Sequence, residues 1–460
     1  MQDYRGKRVL ILGAARQGTA VARFLIGNNA IVTVNDSRSA QQFSDLINEL
    51  NTLRIKTVFG DHPFTLLENC DLLCISGGVP LDLPIIQEAQ KRGIPLTNDS
   101  QIFFEELHAR SIGITGSAGK TTTTTLVGAI AKQACRQGQQ AWIGGNIGTP
   151  LISSVQNIQP DDFVVLELSS FQLELMTHSP TIAAVTNITP NHLDRHGSMQ
   201  AYTAAKAHIL EYQQMGDCAI LNREDEGSWN LKPMVKGNLI TFGLQKPDGD
   251  LDGTFISNGF LCAQQNQLIK QICPVDCVRL RGEHNLLNAL AACAIAIAAE
   301  MPFDAIQGGI EKVQGIPHRL EFVRRWHGAD WYNDSIATTP ERTLAAIHAF
   351  QGRLILLLGG RDKKLPWGDL AAEVHQRADH VFLFGEAADL IETAFSHYEN
   401  GNPPYSLEKC GSMENAIQAA TRVVKDNDIV LLSPGGTSYD AFKDFEERGD
   451  QFKQIVESLP

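Results

Sequence analysis

A lysine and a threonine close a glycine-rich turn at Ile114-Thr-Gly-Ser-Ala-Gly-Lys-Thr121. The apolar run before it, Ile112–Ile114, reads as a strand. Thr122–Ala134 reads as a helix with Leu126, Val127, Ile130 and Ala134 on its inner face. A strand, a glycine loop and a helix start make an anion cradle, because backbone N–H groups converge there and the helix dipole favours negative charge. In that reading Gly116, Ser117, Ala118 and Gly119 form the cradle, and Lys120 meets the β- and γ-phosphates of a nucleotide. The hydroxyl of Thr121, with Thr122 beside it, binds Mg²⁺. The usual first glycine, five residues before the last, is replaced by Ile114, so the loop is a shortened form of the pattern.

Three more residues suit metal-assisted phosphate chemistry. Glu167 stands at the end of the apolar run Phe163–Leu168, where a strand-end carboxylate beside a phosphate loop can hold Mg²⁺. His192 lies in Thr189-Pro-Asn-His-Leu-Asp-Arg-His196, just after the run Ile182–Thr186. Lys206 lies in Tyr202–Leu210, which reads as a helix. Each has a plainer reading: a satisfied carboxylate, a loop-packing histidine and, from spacing alone, a solvated surface lysine.

The elements that must position these residues alternate. Arg8–Leu12 is an apolar run followed by the turn Gly13-Ala-Ala-Arg-Gln-Gly18 and a helical face of Ala20, Val21, Phe24 and Leu25. Further strands are expected at Ala30–Val34, before Asn35-Asp36, and at Asp71–Ser76, before Gly77-Gly78. This is a βαβ series with ligand-facing loops at the strand carboxyl ends. Asp36 on a ribose would make it a dinucleotide site, but Ala15 occupies the central glycine position of that fingerprint. Beyond the phosphate loop, strands are expected at Cys218–Leu221 and near Leu239–Phe242, a small antiparallel region over 245–280, and an amphipathic helix over Asn285–Ala299. A second α/β series follows, with strands at Trp331–Asn333, Leu354–Leu358, His380–Phe384 and Ile429–Leu432. The expectation is an α/β protein of three domains: 1–110 Rossmann-like, 111–317 a P-loop ATPase with a mostly parallel sheet, and 318–460 Rossmann-like.

The net charge of −13 over 460 residues argues against wrapping a nucleic-acid backbone, which calls for clustered Lys and Arg. Nine dispersed cysteines read as reduced thiols rather than a disulfide framework. The amino-terminal residues show no signal-peptide pattern, and Leu286–Ala299 falls short of the ~20 residues a bilayer span needs. A soluble, cytoplasmic protein is expected.

The order of motifs resembles the Mur ligase family. The residues that carry it are Gly113–Thr123, Gly144-Gly-Asn-Ile-Gly148, Glu167-Leu-Ser-Ser-Phe-Gln-Leu173, Asn191–His196, Tyr202–Lys206, Gly282-Glu-His-Asn285, Pro317-His-Arg-Leu-Glu321, Asn333-Asp-Ser335 and Phe442–Phe452. The resemblance spans nearly the whole chain, and the Glu167–Leu173 string favours a D-glutamate-adding activity. It implies a UDP-binding domain, a central ATPase and an amino-acid-binding domain. The implied reaction joins UDP-N-acetylmuramoyl-L-alanine to D-glutamate through an acyl phosphate, in a monomer that binds neither nucleic acid nor membrane. It makes Lys120, His192 and Lys206 catalytic, and Thr121, Glu167, His192 and Lys206 ligands of Mg²⁺, with two ions expected. Lys206 matches the lysine that carries a CO₂ adduct. Asn146, Asn285, Asn288, Arg319 and Asp334 are implied at ATP. Gly13, Arg16, Gly18, Asp36, Ser37, Arg38, Ser76, Gly77 and Gly78 are implied at the UDP-linked substrate, and Lys363, Ser438 and Phe445 at D-glutamate. The alternative is another Mur-type or folylpolyglutamate-type amide ligase; a P-loop module without catalysis is the alternative of a different class. Ile336 stands where the family commonly has Lys, Asn191 where Asp is common, Ser433–Ser438 departs from the usual small-residue run, and Ser76-Gly-Gly78 lacks the usual Pro.

Overall fold

The structure is a computed structural model of the chain. It describes residues 3–191, 193–280, 282–363, 365–396 and 404–460, apart from the side chain of Asp194. These fall into two compact units, Met1–Arg279 with Glu283–Val313, and Gln314–Pro460 with Leu280–Gly282.

The first unit holds two sheets. One contains β1 (Arg8–Leu12), β2 (Ile31–Asp36), β3 (Lys56–Phe59), β4 (Leu72–Ile75) and β5 (Leu96–Thr97), all parallel in the order β3-β2-β1-β4-β5. Val9–Leu12 and Leu72–Ile75 are continuously buried, as expected where helices cover both faces of a parallel sheet. The strand order reverses at β1, which lies between β2 and β4. The loops after these three strands therefore open at one edge, the usual place for a ligand.

The second sheet contains β6 (Ser111–Thr115), β7 (Ala141–Gly145), β8 (Phe163–Glu167), β9 (Ile182–Val185), β10 (Cys218–Asn222), β11 (Asn238–Phe242), β12 (Gly253–Ser257), β13 (Phe260–Gln265) and β14 (Leu268–Pro274). Their order is β14-β13-β12-β11-β10-β9-β6-β8-β7. The small antiparallel region expected over 245–280 is present as β12, β13 and β14, and β12 also pairs parallel with β11, an unexpected join that makes the region an extension of the main sheet.

The helix Glu283–Ala298 also departs from expectation. Asn288–Ile297 is buried at every position, so this is a core helix without a solvent face, packed on the helix Lys120–Ala134. From Ala289 to Ile297 the chain carries no charged or amide side chain, so no face asks for water.

The second unit holds β15 (Glu321–Trp326), β16 (Ala329–Asn333), β17 (Leu354–Gly359), β18 (Ala378–Phe384), β19 (Ser406–Gly411) and β20 (Ile429–Gly435). Their order is β15-β16-β20-β17-β18-β19, antiparallel only between β15 and β16. Leu354–Gly359 is buried throughout and anchors the core. The loops after β16, β17 and β20 lie at neighbouring carboxyl ends, and they carry Asp334, Lys363 and Ser438. Among the described residues, no helix is long and apolar enough to cross a membrane.

Candidate active site

The phosphate loop leaves the fully buried strand β6 and enters the helix Lys120–Ala134 through Gly119, whose φ of +80° favours glycine. A Cβ there would also collide with Asn288 Oδ1, and one at Gly116 with Thr186 Oγ1. The loop is braced from the next strand's end: the backbone N–H of Ser117 donates to Asn187 O at 2.9 Å, and that of Ala118 to Asn187 Oδ1 at 2.8 Å. No side chain caps the helix start. Lys120 Nζ folds back over the loop, donating to Gly116 O at 2.8 Å and Ser117 O at 3.2 Å. Asn288 Nδ2 donates to Asn285 Oδ1 at 3.1 Å, so both asparagines stand beside the loop.

Glu167 ends β8 next to this loop and is buried. Both its oxygens are engaged: Thr121 Oγ1 donates to Oε2 and Asn146 Nδ2 to Oε1, each at 2.8 Å. The backbone N–H of Asn146 adds a bond to Glu167 O at 2.8 Å. Thr121, Asn146 and Glu167 thus form one cluster of hard oxygen and amide groups.

Lys206 corrects the surface reading. It is 1 % exposed, on the helix Met199–Glu211, and its Nζ donates to Gly116 O at 2.8 Å. Burial lowers its pKa to about 6, helped by the charge of Lys120 and opposed by Glu167. Tyr202, one helical turn earlier, was not expected at the site. Its ring centroid lies 4.7 Å from Lys206 Nζ, and its hydroxyl donates to Ser117 Oγ at 3.1 Å. The i, i+4 spacing of Tyr202 and Lys206 was the available signal. His192 lies outside the described residues.

In the first sheet, the three loops meet as the topology requires. Ser76 Oγ donates to Gly13 O at 3.3 Å, and a Cβ on Gly18 would strike Gly13 O. Asp36 accepts from Ala14 N at 2.8 Å and takes a two-pronged contact from Arg38, Nε to Oδ1 at 2.9 Å and Nη2 to Oδ2 at 2.8 Å. Burial raises the Asp36 carboxyl, but these partners outweigh it and hold it at about 2. Asp36 therefore ties the first turn to Arg38 rather than facing outward alone. Ser37, Arg38, Arg16 and Gly78 are exposed, and Gly77 is half-buried. Arg195 reaches the β4 loop from the central sheet's side, donating to Gly78 O at 3.4 Å and Val79 O at 3.2 Å.

In the second unit, Asp334 follows β16 and is buried, accepting from Ser433 Oγ at 2.8 Å and Leu320 N at 3.1 Å. Burial pushes its carboxyl up to about 7, against the pull of these bonds and of Arg319 and Arg342. Lys363 Nζ donates to Thr338 Oγ1 at 3.3 Å. Ser438 is buried, and Phe445 opens the helix Phe445–Ser458 with its carbonyl held by Ser335 Oγ at 2.8 Å.

Comparison with known families gives three matches in chain order: the Mur ligase MurD-like N-terminal domain over 7–98, the Mur ligase middle domain over 114–296, and the Mur ligase glutamate ligase domain over 318–436. A UDP-N-acetylmuramoylalanine--D-glutamate ligase of Pelotomaculum thermopropionicum is 38% identical, covering 100% of this chain and 99% of that one. The chain belongs to the Mur ligase family. The like-named ligase of Clostridium perfringens is 37% identical over 99% of this Mur ligase and 97% of its own length. Among solved structures, the UDP-N-acetylmuramate-alanine ligase of Thermotoga maritima superposes with a TM-score of 0.58 at 20% identity, covering 98% of this chain and 99% of that one. The MurF ligase of Thermotoga maritima, solved in complex with ADP, gives 0.53 at 18% identity, over 99% and 96%. At that identity the likeness is one of fold: a three-domain α/β Mur ligase.

Proposed function

We propose that this Mur ligase forms the amide bond between UDP-N-acetylmuramoyl-L-alanine and D-glutamate, converting ATP to ADP and phosphate, as a monomer in the cytoplasm during peptidoglycan precursor synthesis. The observation that carries the reading is the convergence of Lys120, Thr121, Asn146, Glu167 and Lys206 around the loop after β6. The alanyl carboxylate oxygen attacks the γ-phosphorus, ADP leaves, and an acyl phosphate results. The amine of D-glutamate then attacks the acyl carbon, loses a proton and expels phosphate. Two anions must meet in the first step, so fixed positive charge has to screen them. Lys120 supplies it at the γ-phosphate, and the loop N–H groups at the β-phosphate.

The oxygens of Thr121 and Glu167 suit Mg²⁺, which takes one or two protein oxygens and completes its shell with phosphate and water. We assign Thr121, Glu167, His192 and a CO₂-modified Lys206 to hold two such ions between them; bound there, Mg²⁺ would neutralise charge developing on the phosphates. The buried, weakly basic amine of Lys206 fits the adduct, because CO₂ adds only to an uncharged amine and the product is an anion. Asn285, Asn288, Arg319 and Asp334 are assigned to the nucleotide. The loops Gly13–Gly18, Asp36–Arg38 and Ser76–Gly78 are assigned to the uridine diphosphate, and Lys363, Ser438 and Phe445 to D-glutamate.

The test is phosphate release from ATP with UDP-N-acetylmuramoyl-L-alanine and a panel of D-Glu, L-Glu, L-Ala, L-Lys and meso-diaminopimelate. Turnover with D-Glu alone is expected. Turnover with another member and none with D-Glu would replace the substrate assignment.

A further inference from the structure

A substrate with two carboxylates asks for more than one cation, and Ile336 offers none where the family commonly places a lysine. The structure brings another cation to that turn from six residues along the chain. Arg342, in the first turn of the helix Pro340–His348, directs Nη1 to the carbonyl oxygen of Ile336 at 3.2 Å. The same carbonyl accepts the N–H of Thr338 at 2.9 Å, and Thr338 Oγ1 accepts from Lys363 Nζ at 3.3 Å. Ile336, Thr338, Arg342 and Lys363 are thus linked through one backbone turn.

The charge balance of this cluster leans to one side. Burial lowers the pKa of Lys363, and the charge of nearby Arg342 lowers it further. Arg342 itself is lowered by burial and then by Arg319, with Asp334 and the exposed Glu341 opposing. Arg319 and Arg342 therefore act on one buried carboxylate, Asp334, that is itself weakly acidic, with Glu341 on the rim and Lys363 near Arg342. Like charges gathered in this way raise the energy of the empty site and favour an anionic ligand. Both Arg342 and Lys363 remain solvent-accessible, so a ligand can reach them.

We propose that Arg342 is a specificity-determining residue that binds one carboxylate of the dicarboxylic amino acid, opposite Lys363, in place of the lysine absent at Ile336. This rests on the D-glutamate reading of the second unit's loops. A guanidinium is suited to the task, since its planar fork matches a carboxylate and keeps its charge when partly desolvated.

The experiment measures steady-state kinetics of the full-length enzyme with each substrate varied in turn, for wild type, Arg342→Ala, Arg342→Lys and the double variant Ile336→Lys/Arg342→Ala. Arg342→Ala should raise KM for D-glutamate about 10- to 100-fold, as loss of a charge-assisted bond does, with KM for ATP moving less than about 3-fold. Arg342→Lys should lie between, and Ile336→Lys should restore at least about tenfold of the loss by returning a cation to the site. An unchanged KM for D-glutamate in Arg342→Ala, or a loss in kcat and KM for ATP that Ile336→Lys leaves untouched, overturns the proposal. Should Arg342→Ala fail to fold, as judged by circular dichroism, Arg342→Lys and the double variant carry the same comparison. Wild-type turnover with D-glutamate is read first. Its absence would count against the substrate assignment, whereas its presence with an indifferent Arg342 counts against this residue alone.

Discussion

Thr121 and Glu167, 46 positions apart, are joined by a hydrogen bond of 2.8 Å from hydroxyl to carboxylate, where the helix after β6 meets the end of β8. The hydroxyl and the carboxylate are the oxygen pair proposed above to hold a phosphate-bound magnesium ion, and Asn146 donates to the second oxygen of Glu167. The consequences can be measured.

Removing the charge of Lys120 should be the most damaging single change at this loop. Lys120→Ala is expected to lower kcat at least ~10²-fold, as loss of a fixed charge stabiliser does. Phosphate release at near-normal rate in that variant would contradict its place at the γ-phosphate.

In the proposed metal site Asn146 would act through Glu167, to which it donates at 2.8 Å. Asn146→Ala should raise the Mg²⁺ concentration for half-maximal activity about 10- to 100-fold, the usual effect of removing a group that orients a ligand. A magnesium titration of the variant checks it. An unchanged midpoint with lower kcat would place Asn146 at the phosphates instead.

The Lys206 amine is held at about 6 by burial, so it is mostly uncharged above that pH and protonated below it. The CO₂ adduct needs the uncharged form. A carbamate signal from ¹³C-labelled bicarbonate is therefore expected at pH ~8 and should fade as the pH falls through about 6. Lys206→Ala should lose both signal and activity, with activity partly recovered by short carboxylates. A variant indifferent to them would argue against the adduct.

Asp36 is held at about 2 by Arg38 and the Ala14 N–H, below its ordinary 3.8. A depressed carboxyl stabilises the folded state fully above about pH 4, and that contribution is lost as the pH drops towards 2. The contribution is at most about 2.5 kcal/mol, and less after solvent screening at the half-exposed Arg38. Urea unfolding across this range should show a shallower acid limb for Asp36→Asn than for wild type. Equal slopes would mean that the contact is not stabilising.

Much of the fold was legible because apolar runs announce parallel strands buried on both faces. β1 and the central residues of β17 and β20 stand where such runs stand. The strands that escaped are those without such runs. β7 carries Gly144 and Gly145 and is only partly buried, while β15 and β19 lie at sheet edges with alternating exposure. The helix Glu283–Ala298 was legible as a helix, but the burial of Asn288–Ile297 on every side was not. That burial depends on which elements surround it, and its own periodicity does not state them.

The chain alone determined the chemistry on offer: a glycine turn ending in Lys120 and Thr121, a strand-end Glu167, and a series of strands able to carry them. Those are local patterns, written in consecutive residues. Tertiary structure decided which distant groups share one site. It turned Lys206 from a surface lysine into a buried amine against Gly116, drew Asp36 towards Arg38, and set Arg342 at the carbonyl of Ile336. Burial and charge proximity are properties of packing between elements, and spacing along one element does not contain them.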